Sequence, residues 1–199
     1  LIIRDKNNFS PHVIFQKHKI PILNAGDGTN EHPTQALLDL CVIKSIFKNK
    51  KIKIGICGDI KHSRVAHSNI KLLSKLNHEI HIIAPNYFLD KAELTKINKK
   101  LVFHKSLSKL PKLDVIMMLR VQKERISKNA KSYMNSFKKY CCVNSNHLHN
   151  QPFLMHPGPV NRNIEIDSKV LDNYSKSLIL KQVDMGVYLR MACLEFILK

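Results

Sequence analysis

Lys51-Ile52-Lys53-Ile54-Gly55-Ile56-Cys57-Gly58-Asp59-Ile60-Lys61-His62-Ser63-Arg64 is the stretch that decides the fold. It first alternates polar and apolar residues and then turns continuously apolar, as a strand buried on both faces of a parallel sheet does. Gly58-Asp59 closes it, and an apolar stripe follows at helical spacing: Val65, Ala66, Ile70, Leu73 and Leu76. A strand running straight into a helix is half of a βαβ unit, and the alternation continues downstream. Glu79 to Ala84 reads as a strand closed by Pro85, Lys91 to Lys100 as a short helix, and Leu101-Val102-Phe103 as a brief strand. Asp114 to Leu119 and Phe153-Leu154-Met155 read as two more strands, while Ser127 to Tyr140 is polar and less regular. The pattern predicts a doubly wound α/β unit with a parallel sheet over residues 50–175.

Two further helical stretches flank this unit. One runs from Ala36 to Phe47. The other, from Leu178 to Leu198, is long and carries apolar Leu180, Val183, Val187, Leu189, Met191, Leu194 and Ile197. They predict a second, smaller α/β unit made of residues 1–47, with the terminal helix of residues 178–199 packing back on it. Ahead of the first helix, Asn24-Ala25-Gly26-Asp27-Gly28-Thr29-Asn30-Glu31-His32 reads as a tight, polar turn. Pro33 suits the first turn of a helix. His32 and Gln35 then share one face at a helix N-terminus, where exposed N–H groups and the positive dipole end favour anions. A histidine there can polarise a carbonyl, and a glutamine can bond an amide.

In a doubly wound sheet, ligands sit beyond the carboxyl ends of the strands. Three strings fall at such ends: Lys61-His62-Ser63-Arg64, Arg120-Val121-Gln122-Lys123-Glu124-Arg125 and His156-Pro157-Gly158-Pro159. Arg64 and Arg120 are forks that suit a dicarboxylate, or surface ion-pair partners. Gln122 can hold a carboxylate or an amide, whereas Lys123, Glu124 and Arg125 read as a solvated loop. The two prolines around Gly158 make a rigid turn, and its unpaired carbonyls can accept from an amide or amine. Nothing in the set resembles a nucleophile with its base, a pair of acids or a metal cluster. It fits the binding of two anionic substrates side by side with charge stabilisation during direct transfer.

Composition narrows the classes. The 199 residues are 44% hydrophobic and 24% charged, as in a globular protein. No apolar run approaches bilayer length, and Leu1-Ile2-Ile3-Arg4-Asp5 is too short an apolar start for a secretory signal. The first residue is not Met and lies within an apparent strand, so the expectation is a piece of a longer product. The five cysteines are scattered with no C-x-x-C pair, which suggests buried free thiols in a reducing cytosol and no metal. The formal charge of +18 raises nucleic acid as a partner. Lysine is instead spread along the chain among Asn and Ile, and no nucleic-acid-binding motif is present, so the bias is compositional.

The strings His32-Pro33-Thr34-Gln35, Lys61 to Arg64, Arg120 to Arg125 and His156 to Pro159, in this order, resemble those of the aspartate carbamoyltransferase catalytic-chain family. Lys181-Gln182 through Gly186 to Arg190-Met191-Ala192 resembles its C-terminal helix. The resemblance implies an aspartate-binding domain over 50–175 and an incomplete carbamoyl phosphate domain. It implies carbamoyl transfer from carbamoyl phosphate to L-aspartate in pyrimidine synthesis, in the cytoplasm, without metal or organic cofactor. By the same resemblance Arg4, His32, Gln35, Gly158 and Pro159 contact carbamoyl phosphate, with Arg4 and His32 catalytic. Arg64, Arg120 and Gln122 bind aspartate, and Lys123 to Ser136 moves on domain closure. The family's Ser-Thr-Arg-Thr phosphate loop is absent from these residues, so the alternative is a non-catalytic remnant or interaction module. The partners implied are the two small molecules, a homotrimer when complete and a possible regulatory chain, with neither nucleic acid nor membrane. Ornithine carbamoyltransferase fits less well, because its His-Cys-Leu-Pro and Ser-Met-Gly strings do not occur and Arg120 would repel a cationic substrate.

Overall fold

The computed structural model describes residues 1–122 and 130–199. Along the chain run β1 (Ile2–Asp5), α1 (Ser10–His18), β2 (Leu23–Asp27), α2 (Pro33–Phe47), β3 (Lys53–Cys57), α3 (Arg64–Lys75), β4 (Glu79–Ile83) and α4 (Lys91–Ile97). There follow β5 (Val102–His104), β6 (Val115–Met118), α5 (Ala130–Cys141), β7 (Phe153–Met155), α6 (Ser168–Asn173) and α7 (Ile179–Leu198). The fold is α/β with parallel sheets.

The apolar run around Ile54 becomes β3, the middle strand of a five-stranded parallel sheet ordered β5-β4-β3-β6-β7. Ile54 pairs with Ile80 on one side and Val115 on the other, and it is fully buried with Ile56, Ile82 and Met117. Burial on both faces explains why the run shows little alternation. The chain winds outward from β3 to β4 and β5, then returns to β6 and β7. The order therefore reverses between β3 and β6, and a crevice opens there beyond the strand ends. Ser63 starts α3 by accepting from the Ala66 N–H at 3.2 Å, and Ala66, Ile70 and Leu73 turn to the sheet.

The first residues build a smaller layer. β1 and β2 pair in parallel, and α2 buries Ala36, Leu38, Val42 and Ile43. α3 is tied to this layer by polar contacts. The Ser68 hydroxyl accepts from the His32 N–H at 2.8 Å, His67 Nδ1 lies 2.7 Å from the Thr29 carbonyl, and Lys71 pairs with Glu31.

Several elements differ from expectation. Asn24 to Asp27 is strand β2, because its backbone pairs with β1, and that pairing outweighs the turn propensity of Asn, Gly and Asp. The turn starts at Gly28. Residues 130–141 form a regular helix, held by Phe137 packing edge-on against Phe88 with centroids 5.2 Å apart. α1 and α6 had no sequence-based expectation. α7 packs on α2, but its buried residues are Gln182 and Gly186. The apolar positions Leu180, Val183, Val187 and Met191 are 57–79% exposed. Cys57 and Cys141 are buried free thiols, whereas Cys41, Cys142 and Cys193 are only partly buried. Among the described residues no helix is long and apolar enough to cross a membrane.

Candidate active site

A cleft of about 440 Å3 lies where the smaller layer meets the crevice between β3 and β6. Arg4, His32 and Gln35 reach it from the first layer, and Arg64, Arg120, Gln122, Gly158 and Pro159 from the sheet side. All eight site residues expected from sequence thus line one space. Ser63, Val65, Pro157 and Arg190 complete the described lining, which holds four arginines and no carboxylate. Lys123, Glu124 and Arg125 lie outside the described residues, as does part of the segment from Lys123 to Ser136.

His32 sits at the N-cap of α2, where its carbonyl accepts from the Gln35 and Ala36 N–H groups. Its pKa is lowered to about 4, first by burial and then by Arg64, Arg4 and Arg190. The ring is therefore neutral at pH 7. Thr34 Oγ1 lies 3.3 Å from Nδ1. With that hydroxyl donating, the ring carries its proton on Nε2 and can donate to an oxygen without being an acid.

Arg64 is the first residue of α3 and crosses to the other layer. Gly26 has φ +114°, which favours glycine, and a Cβ there would stand 2.7 Å from the Arg64 Cζ, so the guanidinium would have to shift. Arg120 and Gln122 follow β6 on a loop held by two buried carboxylates. Asp59 Oδ2 accepts from the Gln122 N–H at 3.2 Å, while its Oδ1 accepts from the His62 ring at 2.8 Å. Glu165 Oε1 accepts from the Val121 N–H at 3.0 Å. Val121 and Gln122 are thus anchored from below.

The turn after β7 is organised by His156. Its Nδ1 accepts from the Gly158 N–H at 2.8 Å, and its own N–H donates to Gln182 Oε1 at 2.8 Å. Burial, with Arg120 second, lowers its pKa to about 4, so this ring is neutral too. Gly158 has φ +71° and open space around it, so glycine answers a backbone need there rather than a close approach.

Sequence reasoning missed Arg190, although the string containing it was singled out. The lone helical arginine of α7 gives no hint of which neighbour it faces. It also missed Asp39 and Gln182, which sit on helix faces that read as ordinary polar positions.

The site can be set beside known proteins. Residues 50–197 match the family model of the aspartate/ornithine carbamoyltransferase Asp/Orn binding domain. Residues 1–45 match that of the carbamoyl-P binding domain. An aspartate carbamoyltransferase catalytic subunit of Pelagibacter ubique is 42% identical over 199 residues, covering 98% of this chain and 63% of the relative. One from Parvibaculum lavamentivorans is 41% identical, covering 98% and 60%. The chain thus spans about three fifths of the length of these relatives. Aspartate transcarbamoylase from Trypanosoma cruzi in complex with N-(phosphonacetyl)-L-aspartic acid superposes with a TM-score of 0.83 at 29% identity, covering 98% of this chain and 64% of that one. The same enzyme with carbamoyl phosphate and aspartate gives 0.82 at 29% identity, covering 98% and 65%. The two family models together span residues 1–45 and 50–197, and the chain belongs to the aspartate/ornithine carbamoyltransferase family.

Proposed function

We propose that this chain is the larger part of an aspartate carbamoyltransferase catalytic chain, moving a carbamoyl group from carbamoyl phosphate to the amine of L-aspartate. The observation that carries the reading is the cleft itself: a neutral histidine and Gln35 at a helix N-terminus face arginine forks from the opposite strand ends. The first layer, residues 1–47 with 178–199, is read as the carbamoyl phosphate side, and residues 50–175 as the aspartate side.

In this reading Arg64 and Arg120 bind the aspartate carboxylates and Gln122 steadies them. The amine lone pair attacks the carbamoyl carbon. The N–C bond forms, the C–O bond to phosphate breaks, and its electron pair leaves with the phosphate, which takes the proton shed by the amine. As the carbamoyl oxygen gains charge, Arg4 and the Nε2–H of His32 donate to it. Carbonyls of the Gly158-Pro159 turn accept from the carbamoyl and amine N–H groups. A homotrimer, a possible regulatory chain and a cytoplasmic setting belong to the same reading.

The test is label transfer from carbamoyl phosphate by a completed chain, in which these residues are joined to the part of the Pelagibacter ubique subunit that they do not span. N-carbamoyl-L-aspartate should form, and ornithine should not be used. Transfer to ornithine, or none at all, would overturn the reading.

A further inference from the structure

One buried carboxylate orders much of the polar lining. Asp39, on α2, is fully buried. Its Oδ1 accepts from Gln35 Nε2 at 2.9 Å and Gln182 Nε2 at 2.8 Å, and its Oδ2 from Asn69 Nδ2 at 2.8 Å. The groups facing it from α2, α3 and α7 are therefore all neutral amides. An ionised carboxylate only accepts. It therefore settles which end of each amide turns inward. Gln182 gives its Nε2 to Asp39 and its Oε1 to the His156 N–H. Gln35 likewise gives its Nε2 inward, and the end left for the cleft is its carbonyl oxygen.

We infer that Asp39 is a positioning residue that sets acyl-donor specificity: by turning the Gln35 carbonyl to the cleft, it makes that subsite an acceptor that selects an acyl phosphate bearing –NH2 over one bearing a methyl group. The inference rests on the carbamoyl-transfer reading. A site built to bond an N–H rejects an analogue without one, because its own polar atom is then left unpaired. In Asp39→Asn one acceptor oxygen becomes a donor, and at the Oδ1 place it can donate to Gln35, with Gln182, which shares that oxygen, turning as well. The Gln35 amide then turns over and presents N–H groups to the cleft.

The test compares the Ki of acetyl phosphate with the KM of carbamoyl phosphate in the completed chain. The ratio should fall about tenfold or more in Asp39→Asn, the order of one lost hydrogen bond to a polar group. Adding Gln35→Glu should restore it, because the introduced asparagine amide then donates to a carboxylate whose second oxygen faces the cleft. A second measurement needs no substitution. Burial raises the Asp39 pKa to about 6 against its amide partners, so protonation below that pH supplies a donor. The ratio should then decline as pH falls through 6, while His32 and His156 stay neutral down to about 4. Ionisation of the two phosphates largely cancels in a ratio. A ratio unchanged in folded Asp39→Asn, or flat with pH, overturns the inference. A wild-type completed chain that transfers no carbamoyl group overturns the functional reading itself.

Discussion

The five-stranded sheet and the layer built from residues 1–47 with α7 treat their apolar residues in opposite ways. In the sheet, Ile54, Ile56, Ile82 and Met117 are fully buried between helices. In the other layer Leu1 and Ile2 are 58% and 57% exposed, and Leu180 and Phe196 are 79% and 82% exposed. Yet the half-covered layer supplies His32, Gln35 and Arg4 to the cleft. Its inner side, packed on α3, is ordered by hydrogen bonds, while its outer side meets solvent. A site can thus be held firmly from one side, where α2 buries Leu38, Val42 and Ile43, while the outer side of the same layer leaves apolar residues uncovered.

The largest expected effect breaks this contrast directly. Ile56→Ala should destabilise the chain by about 2–5 kcal/mol, as cavity-forming core truncations do. Ile2→Ala should change it by no more than about 0.5 kcal/mol. Urea unfolding of both variants checks this, and equal losses would erase the distinction.

Next come the two sides of the cleft. In the completed chain His32→Ala should lower kcat about 100- to 1000-fold, the usual cost of a donor to a developing oxyanion. Arg64→Ala or Arg120→Ala should each weaken aspartate use by roughly 1.5–3 kcal/mol, with less change in carbamoyl phosphate binding. Steady-state kinetics with each substrate varied separates these effects.

A smaller effect concerns the exposed face. The 199 residues expressed by themselves should self-associate through α7 and show no readily detectable transfer, since the Ser-Thr-Arg-Thr phosphate loop is not among them. Leu180→Ser with Val187→Ser should shift sedimentation toward monomer. Unchanged sedimentation would move the association elsewhere.

The smallest effect sharpens the seam between the layers. His32 and His156 have folded pKa values of about 4 against an ordinary 6.5. Between those values the unfolded chain binds protons that the folded chain refuses. Their contribution is therefore complete above pH 6.5 and is lost as pH falls toward 4. Asp39, raised from 3.8 to about 6, works the other way and gains as pH falls through that window. His78, His104 and His147 are lowered by burial as well, so the losses outweigh the gain and predict a Tm that declines from pH 7 to pH 4.5. A flat Tm would mean that the buried histidines together do not outweigh Asp39.

Some of this was legible in sequence for a physical reason. β3 and β6 are apolar runs whose burial on both faces leaves a local signature. The strings that line the cleft stand out because they gather arginine, glutamine and a rigid proline turn at strand ends. β2 was not legible, since Asn24 to Asp27 becomes a strand only through a partner more than a dozen residues earlier. Asp39 and Arg190 were missed for a related reason: helical spacing says which face a residue takes, not what that face meets. α5 depended on aromatic contacts with a distant segment, Phe137 on Phe88 and Tyr133 on Tyr87.

In the proposed function the two layers each hold one half of a composite ligand. Calorimetric titration of the completed chain with N-(phosphonacetyl)-L-aspartic acid tests it most directly, in the wild type and in Arg4→Ala and Arg120→Ala. One ligand per chain should bind, and each substitution, one on either side of the cleft, should weaken it by about tenfold or more, as loss of a charge-assisted contact does. Unchanged affinity in either variant would contradict the account.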